Sequence, residues 1–219
     1  LVGRRFVDAR RLGKLLLLDT DKEGPVLGLR FGMSGRLLVD GTAGVDELLY
    51  SSNADLEKWD RFGVRFVDGG DMRIRDPRRL GGVELAPEEE RLGPDALTIK
   101  TDDLVQALAR SKAPLKARLL DQARMAGVGN LAADEILWRA GLDPGRPAGT
   151  LTETEVERLR EHLVTTLADL ILQGGSHTGE LQAERHAGGM CPRDDTPLVR
   201  RTVGGRTTWS CPQHQRCLP

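Results

Sequence analysis

The chain has 219 residues, 39% of them hydrophobic, and a formal net charge of −1 from 32 basic and 33 acidic side chains. No apolar run approaches the ~20 residues needed to span a bilayer, and with a mean hydropathy of −0.36 the composition excludes a helical membrane protein and points to a soluble globular chain. Three cysteines, an odd number confined to the last thirty residues, argue against a disulfide framework and for metal ligation.

The length accommodates two domains. Charge is unevenly distributed: positive clusters run over Arg4–Lys14, Arg110–Arg124 and Arg185–Arg206, acidic ones over Glu84–Asp95 and Glu153–Glu161. A basic face with an acidic back is expected.

From Leu1 to about Glu90 the pattern predicts short strands: Leu12–Leu18, Val26–Phe31, Leu37–Val39, Phe62–Val67, Met72–Ile74 and Val83–Leu85. Glycine turns separate them, among them Gly32-Met33-Ser34-Gly35, Asp40-Gly41 and Asp68-Gly69-Gly70-Asp71. Such a series implies an antiparallel β-sandwich over residues 1–90. The first of these strands has no visible partner before it, which predicts that the domain is incomplete at its start.

An acidic, proline-containing connector leads through a linker at 91–97 into helical periodicity over 98–180. Thr101 stands where it can cap a first helix, followed by Asp102 and Asp103. In Ala113–Leu142 two apolar helical patterns are joined by Met125-Ala126-Gly127-Val128-Gly129-Asn130. Asn130 is placed to cap the second of them, and Gly127 and Gly129 let backbone amides face outward, an arrangement that suits an anion. Between Arg110 and Arg124 five basic residues, Lys116 among them, meet one acid, Asp121. A tight inter-helix turn would account for the Gly-Val-Gly-Asn string by itself; the surrounding charge adds a phosphate grip. Thr152-Glu153-Thr154-Glu155 reads as a capping box before a fourth helix, which Gln173-Gly174-Gly175 ends.

Residues 181–219 read as a β-hairpin, Leu198–Val203 and Arg206–Ser210 around Gly204-Gly205, with cysteines at its base. Cys191-x2-Asp194 and Cys211-x2-His214, sixteen residues apart, have the spacing of a zinc-finger-like site. The fourth ligand is open: Asp194 completes one set, Cys217 another. A metal-free hairpin packed by Trp209, Pro192 and Pro212 is the competing reading, since carboxylate is a poorer structural-zinc ligand than thiolate.

Taken in order, these strings resemble the formamidopyrimidine-DNA glycosylase and endonuclease VIII family of base-excision repair enzymes. The matching residues are Lys14 in RLGKLLLL, Gly32-Met33-Ser34-Gly35, Asp76-Pro77-Arg78-Arg79-Leu80-Gly81, Leu92-Gly93-Pro94, Gly127-Val128-Gly129-Asn130, Gln173-Gly174-Gly175 and the finger with Arg206. The resemblance implies an α+β protein, a β-sandwich and a helix–two-turn–helix domain holding DNA between them. It implies a bifunctional glycosylase and abasic-site lyase, monomeric, in a bacterial cytoplasm at the nucleoid, acting on double-stranded DNA with an oxidised base or abasic site. Lys116, Asn130, Gly127, Gly129 and Arg206 would contact DNA phosphate, and Lys14 would approach the abasic-site phosphate within the catalytic machinery. Met33, Arg78 and Leu80 would fill the gap left by an everted nucleotide, Arg78 and Leu80 alternating along one extended segment. Zinc would be a structural cofactor of the finger.

Three features depart from the family pattern. The family's nucleophile is an N-terminal proline followed by glutamate, and neither begins this sequence, so the expectation is that the 219 residues alone are inactive; a Met-Pro-Glu start about forty residues upstream would make the parent protein an enzyme. Leu80 stands where phenylalanine is usual. Only fifteen residues separate Gly175 from Cys191, short for a loop that caps an extruded oxidised purine. A non-catalytic damaged-DNA-binding relative is the alternative, and an RNA- or ribosome-binding protein a third reading that the strand-rich first half argues against.

Overall fold

The computed structural model describes residues 1–44, 48, 51, 52, 54 and 56–216. They form two compact units, Leu1–Glu89 and Glu90–Pro219.

Among the described residues unit 1 has eight strands: β1 (Phe6–Leu12), β2 (Leu15–Thr20), β3 (Leu27–Arg30), β4 (Arg36–Val39), β5 (Thr42–Ala43), β6 (Asp60–Arg65), β7 (Asp71–Arg75) and β8 (Gly82–Leu85). They make two antiparallel sheets, in the orders β1-β2-β3-β8 and β5-β4-β7-β6. Leu18, Leu27 and Leu29 from the first sheet meet Met72 and Ile74 from the second, with Phe6, Phe62, Val64 and Phe66 packed around them. This is the expected sandwich. The four-leucine run is continuous rather than alternating because β2 is an interior strand buried on both faces, Leu17 on one and Leu18 on the other.

One expectation is corrected here. The strand at Leu15–Thr20 does have a partner before it, β1, paired from Leu12↔Leu15 back to Phe6↔Thr20. Its sequence FVDARRL hides the strand because charged residues occupy its solvent face; Arg10 is held there by Asp19 at 2.8 Å and Glu89 at 2.5 Å.

Unit 2 contains α1 (Thr101–Leu108), α2 (Leu115–Leu120), α3 (Asn130–Ala140), α4 (Glu153–Leu172) and the hairpin β9 (Val199–Val203) with β10 (Arg206–Ser210). The four helices share one core, in which Leu104, Leu119, Ile136, Leu137, Leu159 and Leu163 are fully buried; each such side chain contributes roughly 1.5–3 kcal/mol. Thr152 forms the expected capping box with Glu155. Thr101 does not cap: Lys100 is the cap residue of α1 and Thr101 is already helical. The segment expected to link the domains is itself docked on the inter-helix turn: the Gly93 N–H donates to the Gln122 carbonyl, Ala96 N–H to the Ala126 carbonyl, and Ala126 N–H to the Pro94 carbonyl. No helix among the described residues is long and apolar enough to cross a membrane.

The hairpin shares a smaller core with the middle of unit 2. Trp138 of α3 packs with Leu181, Cys191, Leu198, Trp209 and Cys211. Gly204 and Gly205, both at positive φ, make the two-residue turn that matches the twist of the strands. A Cβ on Gly204 would lie 2.6 Å from the Ala117 methyl, so the turn abuts α2 and only glycine fits.

Candidate nucleic-acid interface and metal centre

In unit 1, two loops come together at the end of the sandwich. Met33 is 55% exposed on the loop between β3 and β4, and Leu80 is 44% exposed on the loop between β7 and β8. A Cβ at Gly32 would fall 2.6 Å from the Leu80 carbonyl oxygen, so the loops are in close contact. The expectation of one extended segment from Arg78 to Leu80 is corrected: Pro77 and Arg78 form a turn, and Arg79 adopts positive φ. The cause is Asp76, a carboxylate only 1% exposed, which gathers N–H groups from the residues that follow it. Lys14 is exposed in the tight turn between β1 and β2, not on a loop leading into a first strand.

In unit 2, Gly129 rather than Asn130 is the N-cap of α3, extended at φ −104°. Asn130 is already helical, so its side chain cannot reach back to the first-turn amides; its Oδ1 is buried with no hydrogen-bond partner among the described residues. The Gly127 N–H is committed to Gln122 Oε1 at 3.0 Å. The first-turn N–H groups of α3 have no partner inside the helix, which leaves a partial positive charge at this end.

Lys116 does not stand free to grip a phosphate. Its side chain is fully buried, its ammonium 2.7 Å from Asp134 of α3 and donating to the Thr207 carbonyl at 2.9 Å and Thr208 Oγ1 at 2.8 Å. Asp134 in turn accepts from Arg185 at 2.8 Å and from the Trp209 N–H at 3.2 Å. Lys116 shares its side of α2 with Leu115 and Leu119, which face the core, and that face carries the amine inward. Burial lowers the Lys116 pKa, with Asp134 opposing, and burial raises that of Asp134, with Lys116 and Arg185 opposing. The node therefore bolts the hairpin to α2 and α3. Arg206, at the hairpin turn beside α2, is exposed as expected.

A second buried acid of α3, Glu135, accepts N–H groups from Glu180 at 3.2 Å and Leu181 at 3.0 Å, and from Arg139 at 2.9 Å. Burial raises its pKa against those bonds. It fixes the chain after the Gly174-Gly175 bend.

Cys191, Asp194, Cys211 and His214 converge at the hairpin base, their donor atoms within 4.8 Å of one another. His214 Nδ1 lies 3.5 Å from Cys191 Sγ and 3.2 Å from Asp194 Oδ2, and Cys211 Sγ lies 3.4 Å from Asp194 Oδ2. A tetrahedral ion with ligand bonds of ~2.0–2.3 Å would separate its donors by roughly 3.3–3.8 Å, so the spacing fits. The surroundings fit as well. His214 Nε2 faces the Trp138 carbonyl at 3.1 Å, which makes Nε2 the protonated nitrogen and leaves the Nδ1 lone pair directed at the cluster. Trp138 Nε1–H donates to Cys191 Sγ, and the Gln213 N–H to Cys211 Sγ, each at 3.3 Å. Cys217 lies outside the described residues.

The two units match known protein families. The Formamidopyrimidine-DNA glycosylase N-terminal domain matches residues 1–83, and the Formamidopyrimidine-DNA glycosylase H2TH domain matches residues 92–181. A formamidopyrimidine-DNA glycosylase of Geobacillus kaustophilus is 33% identical over 99% of this chain and 83% of its own length. The chain belongs to the formamidopyrimidine-DNA glycosylase family. The family's MutM (Fpg) protein from Thermus thermophilus superposes with a TM-score of 0.74 at 33% identity, over 97% of this chain and 84% of that one. The Lactococcus lactis Fpg in complex with a FAPY-dG containing DNA gives 0.79 at 25% identity, over 99% and 84%.

As a formamidopyrimidine-DNA glycosylase relative, the chain carries buried acids whose importance periodicity does not announce. Asp134 and Glu135 sit in NLAADEILW, where the apolar neighbours Ala132, Ala133, Ile136 and Leu137 mark the inward side of the helix. An acid on such a stretch requires a dehydrated partner, and that was the available signal. Arg185 gives none, because it lies between named elements and far along the chain from Asp134.

Proposed function

We propose that the chain is the DNA-binding body of a base-excision DNA glycosylase with abasic-site lyase activity, acting on duplex DNA with an oxidised base or an abasic site. The observation that carries this reading is the hairpin locked against α2 and α3. The Lys116–Asp134–Arg185 node and the Gly204–Ala117 contact hold the exposed Arg206 beside the helix pair whose second member presents its N-terminus. A guanidinium carried on a held hairpin and oriented amides suit a phosphate backbone. Arg206→Ala is expected to reduce the log–log salt slope of binding by ~1 unit with lesion preference unchanged. Isotherms at several salt concentrations measure it; an unchanged slope would place the DNA elsewhere.

Met33, Arg78 and Leu80 fill the vacated stack in this reading, and the exposed apolar side chains Met33 and Leu80 support it. Extruding a nucleotide costs a few kcal/mol of stacking, which inserted side chains offset. The Met33→Ala, Leu80→Ala double variant is expected to lose ~1–3 kcal/mol of affinity for abasic-site duplex and far less for intact duplex. Equal losses on both duplexes would make these ordinary surface residues.

Lys14, exposed in its turn, reaches the phosphate at the abasic site. Zinc is the ion the Cys191, Asp194, Cys211 and His214 set would hold, where it supplies rigidity to the hairpin that carries Arg206. Borohydride trapping on abasic duplex tests the lyase: an adduct supports the enzyme, and binding without any adduct supports a non-catalytic relative.

A further inference from the structure

We propose that Asp76 is a positioning residue for the intercalating side chains: its one carboxylate clamps the loop of Met33 and the loop of Arg78 and Leu80 into a single rigid plug. The proposal rests on the wedge reading of those three residues. Ser34, next to Met33 and 1% exposed, donates its hydroxyl to Asp76 Oδ1. From the other loop, the Arg78 N–H donates to Oδ1 at 3.2 Å and the Gly81 N–H to Oδ2 at 2.7 Å, and the Leu80 N–H adds a further bond.

Asp76 is itself held at both backbone groups. Its N–H donates to the Trp59 carbonyl at 2.9 Å, and its own carbonyl accepts from Arg61 Nε at 2.8 Å. All four polar groups of the residue are thus engaged, and both wedge loops hang on one fixed point. Burial opposes the charge, but the bonds from Ser34, Gly81, Leu80 and Arg78 outweigh it and hold the carboxyl below its usual range, so the clamp stays ionised at neutral pH. An acceptor-only group surrounded by donors suits a carboxylate and no neutral side chain.

The physical consequence concerns order before binding. A loop that is already in its inserted shape loses little freedom when it enters the stack. A loop that must be ordered first surrenders affinity only where insertion occurs, at a site with a nucleotide held out.

The test uses the 219-residue chain with Asp76→Asn, which exchanges one acceptor oxygen for a donor facing donors. The preference for abasic-site over intact duplex is expected to fall roughly tenfold or more, the scale of one or two buried hydrogen bonds lost. The 2-aminopurine signal of unstacking beside the site should weaken in parallel, and in the free protein the Leu80 and Gly81 amides should exchange faster. Affinity for intact duplex and its salt dependence should stay within about twofold, as phosphate contacts carry them.

A retained preference and fluorescence change would overturn the proposal, as would equal loss on both duplexes, which marks a merely structural role. Where Met33→Ala, Leu80→Ala loses preference and Asp76→Asn does not, the wedge stands and the clamp fails. Where the double variant loses none, the wedge reading itself fails and takes the clamp with it. Should Asp76→Asn not fold, Ser34→Ala decides: removing one donor is expected to lower the preference roughly two- to fivefold, and no change overturns the clamp.

Discussion

Asp134→Ala is expected to destabilise unit 2 by ~3–5 kcal/mol, the cost of leaving buried charge without its partner. Lys116 and Arg185 both lean on this carboxylate, and the side-chain exposure of the two cations is 0% and 8%. Neither can recover water without opening the hairpin. Lys116→Met should cost less, because Asp134 would keep Arg185 and the Trp209 N–H. The order of the two variants is thus part of the prediction. Urea unfolding followed by tryptophan fluorescence measures both, and the loss should change little with ionic strength, as buried pairs are weakly screened. A difference from the parent below ~1 kcal/mol for Asp134→Ala would show that the node is hydrated in solution.

Chelation is the second large effect. Structural zinc contributes roughly 10–16 kcal/mol in small isolated fingers. Here the cluster of Trp138, Leu181 and Trp209 would persist without the ion, so a smaller but still dominant loss is expected, with the melting temperature falling by more than ~10 °C. Elemental analysis should find about one zinc per chain. Asp194→Ala should lose it and Cys217→Ala retain it, since Asp194 stands with the other three donors. Trp138 reports the event directly, its indole N–H lying on Cys191 Sγ and its ring 5.9 Å from His214 edge to face. A metal-free protein that melts identically with and without chelator would leave only the packed hairpin.

The fold was largely legible because its signals are local. Glycine turns separate the strands, the capping box at Thr152 opens α4, and Gly204-Gly205 fits a two-residue hairpin. The convergence of Cys191, Asp194, Cys211 and His214 was legible for the same reason: each half is a short turn with fixed spacing. What stayed hidden depends on long-range pairing. Strand β1 looks like a charged loop until Arg10 finds Asp19 and Glu89, the latter 79 residues away. Lys116 looks like one more cation in a basic run, and its inward direction follows only from α3 lying opposite. Asn130 misled through composition: asparagine favours caps, but Gly129 before it takes the extended conformation a cap needs.

The bolt between α2 and the hairpin has a consequence for how the chain is made. Among the described residues unit 1 draws its strand pairings from residues 6–85, so it can close while later residues are still being added. The helical core likewise uses positions between Ala96 and Leu170. Lys116 and Asp134 are different: besides each other, their partners are Arg185 and residues 207–209, up to 92 positions downstream. Until those arrive, a lysine and an aspartate destined for a dry interior face water on nearly finished helices. Docking of the hairpin is therefore expected to follow the helices, and a ribosome stalled before residue 209 should display a helix pair not yet locked.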